Sequence, residues 1–258
     1  LLTTMSNIKL KNEADIVTLR ESGKRLSRVL KAVAKEVKPG VTTSYLDNLA
    51  YKLITEMGDT PAFLNYKPFG ASYPYPGSIC ISVNDEVVHG IGGNRVLKEG
   101  DIVGLDGGVK HNGMISDSAV TVPVGKITKE EEELLRVTKE ALMAGIKAAE
   151  CGNYVNDISK AIEKAIPKKY GIVKILSGHG VGYKVHEDPY VPNFDDGVKG
   201  PKLVKGMVLA LEPMVNLGTD EVYLAKDGYT FITRDHKKSA HFEHTILITD
   251  GKAEILTS

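Results

Sequence analysis

The sequence predicts an α+β fold of two similar halves that face each other. A pair of amphipathic helices followed by strand-like runs occurs twice along the 258 residues. The segment Leu97-Lys-Glu-Gly100-Asp-Ile102-Val-Gly-Leu105-Asp106 can be set against Leu203-Val-Lys-Gly206-Met-Val208-Leu-Ala-Leu211-Glu212, which brings Leu, Gly, an aliphatic residue, Leu and a carboxylate into one register. Val88-His89-Gly90 precedes the first copy as Gly178-His179-Gly180 precedes the second. One domain over residues 7–258 is expected, with halves at about 7–125 and 126–258, a tail at 1–6, and a site between the halves.

The first helix is expected over residues 12–37, where Ile16, Leu19, Leu26, Val29, Leu30, Val33 and Val37 recur at threes and fours until Pro39-Gly40 stops the pattern. A second starts near Thr43 and runs through Leu46, Leu49, Ala50, Leu53 and Ile54 to Gly58. Residues 61–77, rich in Tyr, Pro and Gly, read as loop, and 78–83 and 86–89 as short strands. Between 101 and 124 two β-rich runs flank Asn112-Gly113, a strong hairpin signal. Thr128 with Glu131 forms a capping box that opens a helix to about Ala149, and residues 153–166 make another before Pro167. Strands are expected at 173–176, 207–211, 229–233 and 242–249.

Composition narrows the function. Thirty-three Lys+Arg against 33 Asp+Glu provide no overall field for a polyanion, so a specific nucleic-acid partner is not expected, and Lys168-Lys169 and Lys237-Lys238 remain as local contact patches. Cys80 and Cys151 have no companion at metal-finger spacing and fit a reducing, cytoplasmic setting. No run approaches the roughly 18 apolar residues of a membrane span, and the N-terminus lacks a signal-peptide layout. Residues 1–4, ahead of Met5, read as a vector or start-site remnant.

Asp106 sits in the apolar run Ile102-Val103-Gly104-Leu105-Asp106, where a carboxylate must be paired, hydrogen-bonded or ligated to stay charged. With Asn112-Gly113 as a two-residue turn, His111 pairs with Met114, which sets residue 106 opposite 119 and 108 opposite 117. Asp106 and Asp117 are then diagonal neighbours, about 7–8 Å apart at the backbone, a spacing from which two carboxylates can converge on a metal. The plainer alternative is a turn cap for Asp117 and a buried salt bridge for Asp106. Glu212 ends a second apolar run, 207–211. Glu243 falls on the strand face opposite Phe242, Ile246 and Ile248, and taken alone it could face solvent. His179 stands between Gly178 and Gly180, whose bare backbone lets a ligand approach closely.

Four carboxylates and one imidazole can hold two divalent cations, and oxygen-rich ligation favours Mn, Fe or Co, with Zn possible. Two such ions, about 3.5–4 Å apart, generate hydroxide near neutral pH and clamp an oxyanion, which points to hydrolysis. His89 and His186 stand outside that set, as candidates to polarise a carbonyl, stabilise a tetrahedral intermediate or pass a proton to a leaving amine; the alternative for each is a hydrogen-bonded loop histidine. The glycine-rich runs lack phosphate-loop features, and neither Cys80 nor any Ser has an evident base beside it.

With these residues assembled, the sequence over about residues 7–256 resembles the type I methionine aminopeptidases of the pita-bread metallohydrolases, peptidase family M24. The resemblance is carried by Ser82-Val-Asn-Asp-Glu-Val-Val-His89-Gly90, Gly100-Asp-Ile-Val-Gly-Leu-Asp106, Ser116-Asp117, Gly178-His179-Gly180-Val-Gly182, His186-Glu-Asp-Pro189, Gly206-Met-Val-Leu-Ala-Leu-Glu212-Pro213-Met214 and Ser239-Ala-His-Phe-Glu243-His244-Thr245. It implies a pita-bread (creatinase/aminopeptidase) fold, two pseudo-symmetric α+β halves around a curved antiparallel sheet. It also implies Asp106, Asp117, His179, Glu212 and Glu243 as protein ligands of two divalent ions (Co, Mn or Fe, with Zn possible), Asp117 and Glu243 bridging. His89 and His186 would contact substrate and stabilise the tetrahedral intermediate, and Glu212 would also shuttle the proton. Hydroxide activated by the two ions would attack the first peptide bond and free methionine from nascent chains whose second residue is small. A cytoplasmic monomer is implied, with nascent polypeptide N-termini and the ribosome as partners.

The short stretch between His179 and Glu212 leaves no room for the insertion that marks type II enzymes. Two departures bear on the methionine pocket: Tyr229 stands where many bacterial relatives have Trp, and Val185 where they often have Phe. The 68–75 loop is also a few residues longer than usual, and Tyr75 and Cys80 are expected to line the pocket with Tyr229. A prolidase-like dipeptidase of the same fold would carry a further N-terminal domain, for which the residues are too few. A catalytically inactive protein- or ribosome-binding relative would have lost ligand residues, and none is lost.

Overall fold

The computed structural model describes residues 7–68 and 70–258. The expected tail at 1–6, and Phe69 of the long loop, lie outside the described residues. In chain order the elements are α1 (Glu13–Lys35), α2 (Thr43–Glu56), β1 (Thr60–Pro61), β2 (Ile79–Val83), β3 (Glu86–Val88), β4 (Ile102–His111), β5 (Met114–Pro123), α3 (Lys129–Ala148), α4 (Val155–Ala165), β6 (Gly171–Ile172), β7 (Ser177–Gly180), β8 (Glu187–Pro192), β9 (Val208–Leu211), β10 (Met214–Asn216), β11 (Val222–Leu224), β12 (Phe231–Thr233), β13 (Ser239–His241), β14 (Glu243–Leu247) and β15 (Glu254–Ile255). Both long helices start where their caps dictate. Asn12 accepts from the Asp15 N–H at 3.0 Å while Asp15 accepts from the Asn12 N–H, and Thr128 and Glu131 make the same reciprocal exchange ahead of α3.

Nine antiparallel strands form the main sheet, in the order β1-β4-β5-β14-β9-β7-β8, with β2 also on β4 and β15 also on β14. Strand alternation divides its two faces. Val103, Leu105 and Val109 of β4 pack under α1 and α2 with Leu26, Leu30 and Leu46. Leu209 and Leu211 of β9 and Ile246 of β14 pack under α3 and α4 with Leu142 and Ile158. The other face carries Cys80, Val208, Ala210 and Leu247, in a separate cluster with Tyr75 and Tyr229.

The two halves repeat in backbone detail. Gly100 and Gly206 share a left-handed φ of +88°, which favours glycine at both positions. The Gly100 N–H donates to the Val124 carbonyl at 2.9 Å and Val124 returns a bond to Asp101 at 2.8 Å. Gly206 and Ile248 make the equivalent pair, with Ile248 returning to Met207, at 3.0 and 2.9 Å. The β5–β14 pairing joins the halves across the middle of the sheet.

Some strands differ from expectation. Residues 173–176 form no strand: the chain there switches sheets, from β6 on β10 to β7 on β9, and Val173 is buried at the bend. Eight strands of two to six residues, β1, β6, β7, β8, β10, β11, β13 and β15, carry too little periodicity to be read from sequence, and β8 contains Pro189 and Pro192. Two of the lysines singled out as contact patches have internal partners. Lys238 bonds Glu131 and the Gly100 carbonyl, and Lys169 pairs with Glu133 at 2.8 Å. Among the described residues no helix is long and apolar enough to cross a membrane.

Candidate metal centre

The hairpin register is the one the Asn112-Gly113 turn dictates: Asp106 pairs with Ala119, Gly108 with Asp117 and His111 with Met114. Ala119 also lies opposite Glu243 of β14, and Ala210 lies opposite both Thr245 and His179. Two alanines therefore occupy the positions between the polar side chains and leave space above the sheet. Thr245 bolts β14 to β5, its hydroxyl donating to the Asp117 carbonyl at 2.7 Å and accepting from the Asp117 N–H at 2.9 Å. Ser118 adds a bond to the Glu243 carbonyl at 2.7 Å.

On this frame Asp117, His179 and Glu243, all buried, each offer a ligand atom within 4.8 Å of the others. His179 Nε2 is 3.3 Å from Glu212 Oε1, and Asp106 and Glu212 line the same pocket. Glu243 is therefore buried on a sheet face that is covered, not solvent-facing. His179 Nδ1 lies 2.9 Å from the Gly180 carbonyl, which takes its proton and leaves the Nε2 lone pair directed at the carboxylates. Asp106 Oδ1 and Asp117 Oδ1 are buried with no hydrogen-bond partner. Such orphaned acceptors are costly in a protein interior, and a cation removes the cost. A donor set of four carboxylates and one imidazole, with two unpartnered oxygens, fits hard or borderline divalent metals.

The electrostatics agree. Burial raises Asp106 to about 7. Burial, and then the neighbouring carboxylates, push Asp117, Glu212 and Glu243 well above the ordinary range. Burial, and then the His186 charge, lower His179 to about 3. His241 is likewise lowered to about 3, and its Nε2 is 3.7 Å from Glu212 Oε2. Sequence reasoning passed over this histidine, although residues 241 and 243 bracket Phe242 and alternation places them on one side.

His89 and His186 stand at the pocket wall. His89 has a left-handed backbone, φ 61°, and burial and His186 lower it to about 4. The His186 ring lies 4.5 Å from that of His179, and its Nδ1 is 2.8 Å from the Tyr66 hydroxyl. Tyr75, Cys80, Val185 and Tyr229 line the pocket together with Phe63, Tyr66 and Pro68. The last three belong to the aperiodic 61–77 stretch, where no pattern announces which side chains turn inward. Tyr229 stands between Tyr73 and Tyr75, its ring 5.1 and 5.2 Å from theirs, and its hydroxyl donates to the Tyr73 carbonyl. Burial and the Asp106 charge push the Cys80 thiol well up, so it is an apolar surface and not a nucleophile.

Residues 17–250 match Metallopeptidase family M24. The chain is 46% identical over 251 residues to the methionine aminopeptidase of Clostridium perfringens, with 97% of this chain and 98% of that one covered. It is 44% identical to methionine aminopeptidase 1 of Bacillus subtilis, covering 96% and 98%. The crystal structure of the Thermotoga maritima methionine aminopeptidase superposes with a TM-score of 0.92 at 40% identity, covering 97% of this chain and 99% of that one. Pyrococcus furiosus prolidase, at 23% identity and a TM-score of 0.75 over 96% of this chain and 65% of that one, shares the pita-bread fold alone. The chain belongs to metallopeptidase family M24 and, within it, to the methionine aminopeptidases.

Proposed function

We propose that the protein removes the N-terminal methionine from polypeptides whose second residue is small, at a centre of two divalent ions held by Asp106, Asp117, His179, Glu212 and Glu243. The observation that carries this reading is the convergence of those five side chains, two of them with unpartnered buried oxygens, beside an apolar pocket. Mn, Fe or Co suits the donors, with Zn able to substitute. When bound, the ions supply Lewis acidity toward the scissile carbonyl and lower the pKa of water. The protein's own groups do the rest. Tyr75, Cys80, Tyr229 and Val185 take the methionine side chain, His89 and His186 donate to the carbonyl oxygen as it gains charge, and Glu212 holds the proton destined for the leaving amine. Residues 7–258 act as one catalytic unit, with the site at the seam of its halves. Nascent-chain N-termini in the cytoplasm are the natural substrate pool, a setting that two free thiols suit.

The test is calorimetric titration of metal-stripped protein with Mn or Co, alongside turnover. Wild type should take two equivalents per chain. Asp106→Asn, a near-isostere but a poor ligand, should take fewer and lose on the order of 10³-fold in turnover with its melting transition intact. Full turnover in that variant, or no metal uptake by wild type, would overturn the reading.

A further inference from the structure

Beside the metal pocket lies a buried ion pair that the reaction does not use. Lys11 Nζ is 2.6 Å from Glu187 Oε2, with side chains 1% and 6% exposed. Lys11 belongs to the strap that precedes α1, while Glu187 follows His186 directly. The other Glu187 oxygen accepts from the Tyr183 N–H at 2.6 Å and the Lys184 N–H at 2.8 Å, so a single carboxylate closes the 183–187 turn. Lys11 Nζ also donates to the Lys9 carbonyl at 3.2 Å and lies 5.0 Å from the centre of the Tyr183 ring. Tyr183 in turn donates its hydroxyl to Asp15 in the first turn of α1, at 2.5 Å.

The strap's backbone is fixed as well. The Lys11 N–H donates to the Gly206 carbonyl at 2.8 Å. At Gly182, φ +138°, an added Cβ would fall 2.4 Å from Lys11 Cε, so only glycine lets the lysine stem pass there. A buried ion pair is a weak net stabiliser compared with apolar packing, but its directional geometry can fix one segment against another. On the ring itself, His186 Nδ1 lies 2.8 Å from the Tyr66 hydroxyl and the ring packs edge-on against His179.

We propose that Lys11 and Glu187 are positioning residues that hold the 183–187 turn, and through it His186, against the metal pocket. The inference rests on the proposed substrate-contacting role of His186. Its test compares wild type with Lys11→Met, Glu187→Gln and the double variant. Glu187→Gln keeps an oxygen for the two amides, and the double variant leaves no unpaired charge buried. Two readouts are taken: backbone hydrogen exchange over 183–187 in metal-free protein, and kcat, KM and metal content with Met-Ala-Ser in loaded protein.

Each single variant should speed exchange in that segment about tenfold or more and lower kcat about tenfold, with metal content unchanged. The double variant should lose no more than the worse single one, because the two residues act as a unit. Unchanged exchange, a kcat within about twofold of wild type, or losses that multiply in the double variant would overturn the proposal. If Lys11→Met does not fold, Glu187→Gln decides by the same two readouts. A wild type that releases no methionine contradicts the proposed function instead, and the exchange comparison still decides whether the pair orders the turn.

Discussion

Asp106, raised to about 7, and Asp117, Glu212 and Glu243, each raised well above the ordinary carboxyl range, bind protons more tightly in the folded metal-free protein than in the unfolded chain, where carboxyls titrate near 4. Their contribution to stability is complete below about pH 4 and is lost as pH rises through their folded values. His179 and His89, lowered to about 3 and 4, act oppositely: their contribution is complete above about 6.5 and is lost as pH falls through the folded values. A bound cation requires ionised carboxylates and neutral imidazole, so it competes with protons. The stabilisation that Mn or Co confers in thermal melts should therefore grow steadily from pH 5 to pH 8, and an equal shift at both ends would contradict it. Tyr66 acts on a finer level. Tyr66→Phe removes the bond to His186 Nδ1, and a net hydrogen bond of about 1 kcal/mol predicts a fall in kcat of about fivefold with metal content unchanged. Steady-state kinetics with metal analysis checks it.

The strands hold these side chains in register, and the register is sensitive to small residues. A Cβ at Gly178 would lie 2.4 Å from the Ala210 carbonyl, in the β7–β9 ladder that orients His179. Gly178→Ala should cost about 1–3 kcal/mol in urea unfolding and weaken metal uptake. Wild-type values of both would show that β7 tolerates the shift. The β4–β5 register was legible because Asn112-Gly113 admits one tight turn and the pairing follows by counting. Likewise the apolar spacing from Ile16 to Val33 announced α1, and the capping box at Thr128 announced α3. Strands β1, β6, β7, β8, β10, β11, β13 and β15 were not legible, since each spans only two to six residues and is held by pairing and packing more than by its own pattern.

The molecule as a whole repeats one design on either side of the β5–β14 seam. Gly100 and Gly206 make the same turn, and Asp106 and Glu212 reach the same pocket from the two halves. That symmetry could be read in the sequence because both copies need the same backbone at the same places. The wall of the pocket could be read only in part. Tyr75, Cys80, Val185 and Tyr229 were singled out, whereas Phe63, Tyr66 and Pro68 enter from a loop whose course is set by tertiary contacts such as Tyr73 against Tyr229. Their aromatic and apolar surface faces a ring of titratable groups, and the proposed substrate preference and chemistry rest on this juxtaposition. The most direct measurement is free amino-acid release by metal-stripped protein, with and without Mn, Co or Fe, from Met-Ala-Ser, Leu-Ala-Ser and Ala-Pro. Metal-dependent release of methionine, with little or no leucine and no cleavage of Ala-Pro, is the predicted result. Cleavage of Ala-Pro alone, or of nothing although two ions bind, would contradict the account.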